Sequence, residues 1–166
     1  MTANEVDPSV EFSTRHGDLF EKHIHGSADD ESLVLKAHML IEGMLRDFCA
    51  KSVPHPEHLK DLRLNFSQVV GLARSLCAFP QSSARVDSMW SVIKHLNNLR
   101  NAMAHELEPD QQKIEKTKQI VIDLVRQPRE EGESPPDLRA CLGFTAGWFL
   151  AFLEVALTRY DLQKRE

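Results

Sequence analysis

The chain has 166 residues, the size of one ordinary domain. Hydrophobic residues make up 42% of the sequence and charged residues 27%, so a wholly disordered or fibrous chain is excluded. Acidic residues outnumber basic residues by 25 to 20, which gives a formal net charge of −5. This balance argues against a protein that coats nucleic acid non-specifically, because such binding rests on many Lys and Arg contacts to phosphate. A local basic site remains compatible with it.

Apolar residues recur at helical spacing through most of the chain, with breaks at proline and glycine. We predict helices at residues 8–25, 27–49, 65–79, 86–104, 111–126 and 137–161. The segment 27–30 is predicted to cap the second helix. No run alternates apolar and polar residues as a strand would, so the sequence predicts an all-α helical bundle of about five to six helices.

Two of these helices make specific predictions about the core. In the first helix the apolar positions are Val10, Leu19, Phe20 and Ile24. In helix 111–126 they are Ile114, Leu124 and either Ile120 or Val121. The spacing in the first helix predicts helical structure, and the residues of helix 111–126 are predicted to form its core face.

The whole chain, residues 1–166, is predicted to be a single helical domain. Its core spans roughly residues 27–126, and residues 128–136, with the sequence PREEGESPP, form a linker by composition. The C-terminal apolar helix, 137–161, carries Trp148, Phe149 and Phe152, which are predicted to lie in the core or at a dimer contact.

Cellular location is inferred from what the sequence lacks. Three widely spaced cysteines form no disulfide framework, and the first residues have no secretory pattern, so we expect a reduced, cytoplasmic protein. Residues 140–153 are uncharged, but these 14 residues fall short of the roughly 18–20 that span a bilayer. We therefore expect no membrane partner. Gly143 and Gly147 have the small-xxx-small spacing that permits close helix contact.

Metal binding is not predicted. The pairs His23–His25 and His55–His58 are the nearest approach to ligand spacing, and neither has a credible third ligand in the sequence. Surface histidines are the simpler interpretation.

The most informative segment runs from residue 91 to residue 105, with the sequence SVIKHLNNLRNAMAH. At about 100° per residue its apolar side chains share one face, and Arg100 lies on the shoulder of that face. The opposite face carries an unusual set of polar groups: a cation, two amides and an imidazole. It carries Lys94, Asn98, Asn101 and His105.

Three asparagines within five residues are unfavourable for a helix, and such choices tend to occur at functional sites. An ordinary solvent-exposed face is the competing interpretation, and composition favours neither. Asn101 and His105 are four residues apart and can touch. Arg100 and His105 are about 140° apart around the axis, so the long Arg100 side chain must reach around for the two to share a site.

The residues from Arg100 to His105, RNAMAH, resemble the Arg-polar-x-x-x-His motif of the HEPN superfamily, which lies near the end of a long helix in a helical bundle. The strings LIEGML at 40–45 and LNF at 64–66 resemble the mannitol operon repressor-like branch. The resemblance extends over roughly residues 32–125. In toxins paired with nucleotidyltransferase antitoxins the motif continues His-x-Tyr, whereas Glu106 and Leu107 follow here.

The resemblance implies a HEPN-like fold and a metal-independent endoribonuclease that acts as a symmetric homodimer, needs no cofactor and leaves a 2′,3′-cyclic phosphate. RNA is then the substrate. A toxin–antitoxin or phage-defence setting is implied, with an antitoxin or regulatory protein as partner. The alternative is a non-catalytic transcriptional regulator or interaction module of the repressor-like branch. The dimer would form through the Arg100–His105 helix or through the C-terminal apolar helix.

The same resemblance assigns roles to individual residues. The His105 imidazole would move the proton of an RNA 2′-hydroxyl or protonate the leaving oxygen. The Arg100 guanidinium would clamp the phosphate, and Asn101 would orient His105 or donate to a phosphate oxygen. Lys94 and Asn98 would contact the RNA backbone.

Glu42 is the remaining candidate. It lies one helical turn from His38 and from Arg46, so an ion pair within its own helix is the simpler interpretation. The alternative is that Glu42 reaches across to Arg100 and orients it.

Overall fold

The computed structural model describes residues 7–24, 29–77, 83–104, 110–126 and 136–165, with side chains to residue 160. Within these residues the fold has seven α-helices and no strand. They are α1 (Pro8–His23), α2 (Asp30–Lys51), α3 (Glu57–Asp61), α4 (Phe66–Leu76), α5 (Ala84–Ala104), α6 (Gln111–Val125) and α7 (Leu138–Arg165). The prediction of an all-α bundle is confirmed.

The helix count differs from the prediction by α3. This helix has five residues, too few to show a hydrophobic period in the sequence. The turn that follows it passes through Arg63, whose φ of 44° lies in the left-handed region usually occupied by glycine after a helix.

Polar caps fix where several helices begin. The Asp29 carboxylate accepts a hydrogen bond from the Ser32 amide at 2.7 Å, in the segment predicted to cap the second helix. Asn65 forms a capping box with Gln68 at the start of α4. The Ser83 hydroxyl accepts from the amide of Val86 at 3.2 Å. Because of this bond, α5 begins two residues before the predicted position 86.

Helix α2 lies at the centre of the bundle and packs against α1, α4, α5 and α7. Helix α5 also packs on α6, and α7 packs on α1 and α6. Buried residues of α1, α2, α4, α5, α6 and α7 belong to one hydrophobic core. Helix α7 contributes to this core with Leu142, Ala146, Phe149 and Leu153. The predicted linker, apart from residue 136, lies outside the described residues.

The apolar residues that predict helix α1 do not all lie on its buried face. Val10 is 50% exposed and Leu19 is 36% exposed. The buried residues are Ser9, Phe12 and His16. Apolar periodicity fails here because the face that α1 turns to its neighbours carries two polar residues. In α6, Val121 is buried and Ile120 is only half-buried, which resolves the alternative left open by the sequence.

Helix α7 is longer than its uncharged run. Leu138–Tyr160 is long and apolar enough to cross a membrane, by length and composition, with a mean hydropathy of 1.8. In this fold 44% of that stretch is buried inside the protein. Phe149 is buried against Trp90 of α5, with ring centroids 5.1 Å apart, so its predicted core position is confirmed.

The two glycines of α7 make no close contact with the other described helices. A Cβ atom added at Gly143 or at Gly147 would meet no atom of the described residues within 4 Å, apart from its own helix backbone and chain neighbours. We expect Gly143→Ala and Gly147→Ala each to raise the free energy of unfolding by about 0.5–1 kcal/mol, because alanine loses less backbone entropy in a helix. Urea denaturation followed by circular dichroism measures this. A destabilised variant, or a change of oligomeric state in light scattering, would show instead that the glycine face packs against a second chain.

Candidate functional site

A cleft of about 400 Å³ opens between α4 and α5, and we call it the α4–α5 cleft. Lys94 and Asn98, the two predicted RNA-contacting residues, both line it and both are exposed. The other lining residues are Phe66, Ser67, Val70 and Arg74 of α4 and Trp90, Ser91 and Asn97 of α5.

Two cations lie in the α4–α5 cleft. The Arg74 guanidinium donates to Asp87 at 2.9 Å and lies 5.9 Å from the centre of the Trp90 ring. Such a cation–π contact holds the planar group in a fixed orientation. Within the described part of the chain, no acidic side chain pairs with Lys94. The cleft therefore offers a positioned cation and a mobile one to an anionic ligand.

The floor of the α4–α5 cleft is aromatic and rigid. Trp90 is only 5% exposed, and its ring packs edge-on against Phe149 and Phe152 of α7, with centroids 5.1 and 6.0 Å away. Phe66, on the α4 side, is half-buried and keeps part of its ring accessible. An accessible aromatic face beside cations is an arrangement on which a nucleobase can stack.

A buried histidine holds one amide of the α4–α5 cleft in place. His38 of α2 donates from Nε2 to the Oδ1 atom of Asn97 at 3.1 Å, and its ring lies 4.4 Å from the ring of Phe66. The amide nitrogen of Asn97 remains as a donor, because its oxygen is used by His38. His38 thus fixes two of the groups that line the cleft.

The environment of His38 keeps its imidazole neutral. Burial is the largest effect and lowers the pKa from its ordinary value of 6.5, and the charge of Arg100 lowers it further. The hydrogen bond with Asn97 and the carboxylate of Glu42 act in the opposite direction but do not outweigh burial. A neutral imidazole can donate through one nitrogen only, which suits the contact with Asn97.

Two of the three predicted catalytic residues, Arg100 and Asn101, lie at the far end of α5. Arg100 is half-buried, and its Nη1 donates to Oδ1 of Asn101 at 2.9 Å, so these two residues are brought together. Arg100 also lines a crevice of about 30 Å³ between α2 and α5. This volume has room for about two water molecules. His105, the third predicted residue, lies outside the described residues.

Glu42 makes the local ion pair. Its Oε1 accepts from Nε and Nη2 of Arg46 at 2.9 and 2.6 Å, and its Oε2 lies 3.8 Å from Nδ1 of His38. The simpler of the two interpretations is therefore the interaction seen. Glu42 and Arg100 both act on His38, whose pKa the carboxylate raises and the guanidinium lowers.

No group of three His, Cys, Asp or Glu side chains in the described ranges comes together as metal ligands. His55 and His58 are on the surface, with side chains 74% and 79% exposed. His25, of the other pair, lies outside the described residues.

Several lining residues could not be found from the sequence. Arg74 and Phe66 reach the cleft only because α4, which packs on α2, lies opposite α5, and no local pattern indicates that placement. Asn97 is one of the three asparagines that mark this stretch of α5 as unusual, but its position around the helix axis lies outside the predicted polar face. The sequence places His38 one helical turn from Glu42 but gives no indication that it contacts Asn97.

No family model, no curated protein and no solved structure matches this chain. The likeness to the HEPN superfamily therefore rests on the motif residues and their position on a long helix.

The lowered pKa of His38 predicts a pH-dependent stability. Below pH 6.5 the unfolded chain protonates this imidazole while the folded chain does not, so unfolding takes up a proton. The contribution of His38 to the free energy of unfolding is fully present above pH 6.5. It falls as the pH drops from 6.5 toward the lowered pKa, by up to about 1.4 kcal/mol per pH unit for one proton.

Urea titrations of the wild type and of His38→Gln between pH 7.5 and pH 5 test this prediction. The stability difference between them should shrink as the pH falls. Val155→Gln, which alters an exposed side chain with no titratable group, is the control and should give a constant difference. A constant difference for His38→Gln as well would contradict the prediction.

Proposed function

We propose that this chain binds single-stranded RNA in the α4–α5 cleft and cleaves it without metal or cofactor, as a HEPN-like homodimer in the cytoplasm. The observation that carries the proposal is the set of groups in the cleft: two cations, two amides and an accessible aromatic ring on one face of the bundle. Each of these groups recognises a different part of a nucleotide.

The binding step follows from the chemistry of the lining residues. Arg74 and Lys94 suit phosphate oxygens, and the amides of Asn97 and Asn98 suit phosphate or base edges. Phe66 offers a stacking surface. With a net charge of −5 the protein repels RNA elsewhere, so binding should be confined to this cleft and weak on duplexes.

The cleavage step is proposed for the end of α5. Asn101 lies seven residues beyond Lys94, which is about 10 Å along the helix, and the two fall on one side of it. A strand bound in the α4–α5 cleft can therefore run on toward Arg100 and Asn101. His105 would act as the acid or base, as the motif implies, and Arg100 would stabilise the phosphate charge that develops.

The second candidate is the non-catalytic regulator or interaction module. It is favoured by the half-buried position of Arg100, which Asn101 already holds within its own helix. Such an arginine can serve a dimer interface as readily as a phosphate. An antitoxin or regulatory partner is compatible with both functions.

Removing one cation of the cleft tests the binding step. We expect Lys94→Gln and Arg74→Gln each to weaken the binding of a labelled single-stranded RNA, and to reduce the slope of log K against log salt concentration by about 0.7 for each phosphate that is no longer neutralised. Fluorescence anisotropy at several salt concentrations measures both quantities. Lys113→Gln, at an exposed position of α6, is the matched control and should leave the affinity and the slope unchanged. Equal slopes for all four proteins would contradict binding in the cleft.

Removing the motif side chains tests the cleavage step. In EDTA, we expect the wild type to cut the RNA and leave 2′,3′-cyclic phosphate ends, which mass spectrometry detects. Arg100→Ala and His105→Ala should each reduce the cleavage rate by at least about a hundredfold while RNA binding persists. His58→Ala is the control. Undiminished cleavage in either variant would refute the assignment, and an inactive wild type that still binds RNA would favour the regulator.

A further inference from the structure

A second cavity lies against a different face of α4, and we call it the α2–α4 cavity. Its volume is about 420 Å³, within the range of small-molecule sites. It is bounded by α2, by the α3 segment and by α4, with Arg15 of α1 at one side. None of its lining residues belongs to the α4–α5 cleft.

Most of the wall of the α2–α4 cavity is apolar. The apolar lining residues are Cys49, Ala50, Pro56, Leu59, Leu64, Val69 and Leu72. Burial raises the pKa of the Cys49 thiol to about 11, although the charge of Arg46 opposes the shift. The thiol is therefore neutral at pH 7 and adds to the apolar wall. Such a wall favours a hydrocarbon chain over a sugar–phosphate.

Three cations line the same cavity: Arg15, Arg46 and Lys60. Arg46 is fixed in place, because Nε and Nη2 hold Glu42 and Nη2 also donates to the carbonyl of Leu64 at 2.8 Å. Its Nη1 makes no hydrogen bond to a described residue. Lys60 forms no ion pair within the described ranges. The cavity thus offers donors for an anion beside an apolar interior.

The one carboxylate in the lining does not cancel these cations. Asp47 accepts a hydrogen bond from Nε2 of the buried His16 at 3.1 Å and lies 3.9 Å from Arg15. Burial acts to raise the pKa of Asp47, but the hydrogen bond from His16 and the charges of Lys51, His16 and Arg15 outweigh it and lower the pKa. Asp47 is thus an ionised group whose charge is balanced within the protein. Glu42 offsets the charge of Arg46, so the Nη1 donor of Arg46 and the charged amine of Lys60 remain for a ligand.

We propose that the α2–α4 cavity binds a free single-chain amphipathic anion, an alkyl chain that carries one carboxylate. The chain lies along Leu59, Leu64 and Leu72, and the carboxylate accepts from Arg46 and Lys60. A neutral alkyl ligand would leave the two donors without a partner, and a cationic one would be repelled by them. This proposal rests on different residues from the RNA function proposed above.

Calorimetric titration of the full chain with decanoate, below the concentration at which it forms micelles, tests the proposal. We expect a 1:1 complex. Butyrate, which lacks six methylene groups, should bind at least about a hundredfold more weakly, and decanol, which lacks the charge, about tenfold more weakly. Equal affinity for decanoate and decanol, or no decanoate binding, would overturn the proposal.

Two variants locate the ligand. Lys60→Gln should weaken decanoate binding by about tenfold and leave decanol unchanged, whereas Leu72→Gln should weaken both. Both positions are exposed or half-buried, so the fold should persist, and circular dichroism checks it. Lys113→Gln and Val155→Gln are the matched controls. Unchanged decanoate affinity in the folded Lys60→Gln and Leu72→Gln proteins would overturn the site.

Other occupants are distinguished in the same experiment. Tighter binding to an acidic amphipathic peptide, or to phosphatidylglycerol vesicles, than to free decanoate would overturn the assignment to a small free ligand. A change of oligomeric state in Leu72→Gln, seen by light scattering, would overturn it in favour of a second copy of the chain.

Discussion

Helix α2 packs against four other helices, and ten of its 22 residues are buried. The polar side chains on the inner side of such a helix need partners, because burial removes part or all of their contact with water. His38 is hydrogen-bonded to Asn97 on α5. Glu42 pairs with Arg46 one turn along the same helix, and Asp47 accepts a hydrogen bond from His16 on α1. These three pairings determine which groups face the α4–α5 cleft and the α2–α4 cavity. Both candidate sites are consequences of how α2 is buried.

The fold could be predicted where one helix face is uniformly apolar. In α2, helical spacing over about four turns predicts a buried stripe, and all of its residues are buried: Val34, Ala37, Ile41, Met44, Leu45 and Phe48. The pattern failed in α1, where Ser9 and His16 replace apolar residues on the buried face, and it could not detect α3, which is one turn long. Periodicity records apolar area only, so it misses burial that hydrogen bonds make tolerable.

The candidate site was predictable along one helix and not between helices. Lys94 and Asn98 follow from the polar face of α5, and the contact between Arg100 and Asn101 lies within one turn. Arg74, Phe66 and His38 come from other helices, and their positions depend on crossing angles that no local pattern contains. The acidic net charge was also a poor guide, because it averages over surfaces that differ in sign. Arg74 and Lys94 lie in one cleft of a protein with a charge of −5.

Helix α4 lies between the two candidate sites, with the α4–α5 cleft along one face and the α2–α4 cavity along another. It has 11 residues, and in the described part of the chain its principal helix partner is α2. A displacement of this short helix toward either side enlarges one compartment and constricts the other. The two ligands would then compete without touching, and thermodynamic reciprocity requires each to reduce the affinity of the other by the same factor. Titrating decanoate at fixed concentrations of RNA would measure that factor, and a value of one would mean that α4 is not displaced when either ligand binds.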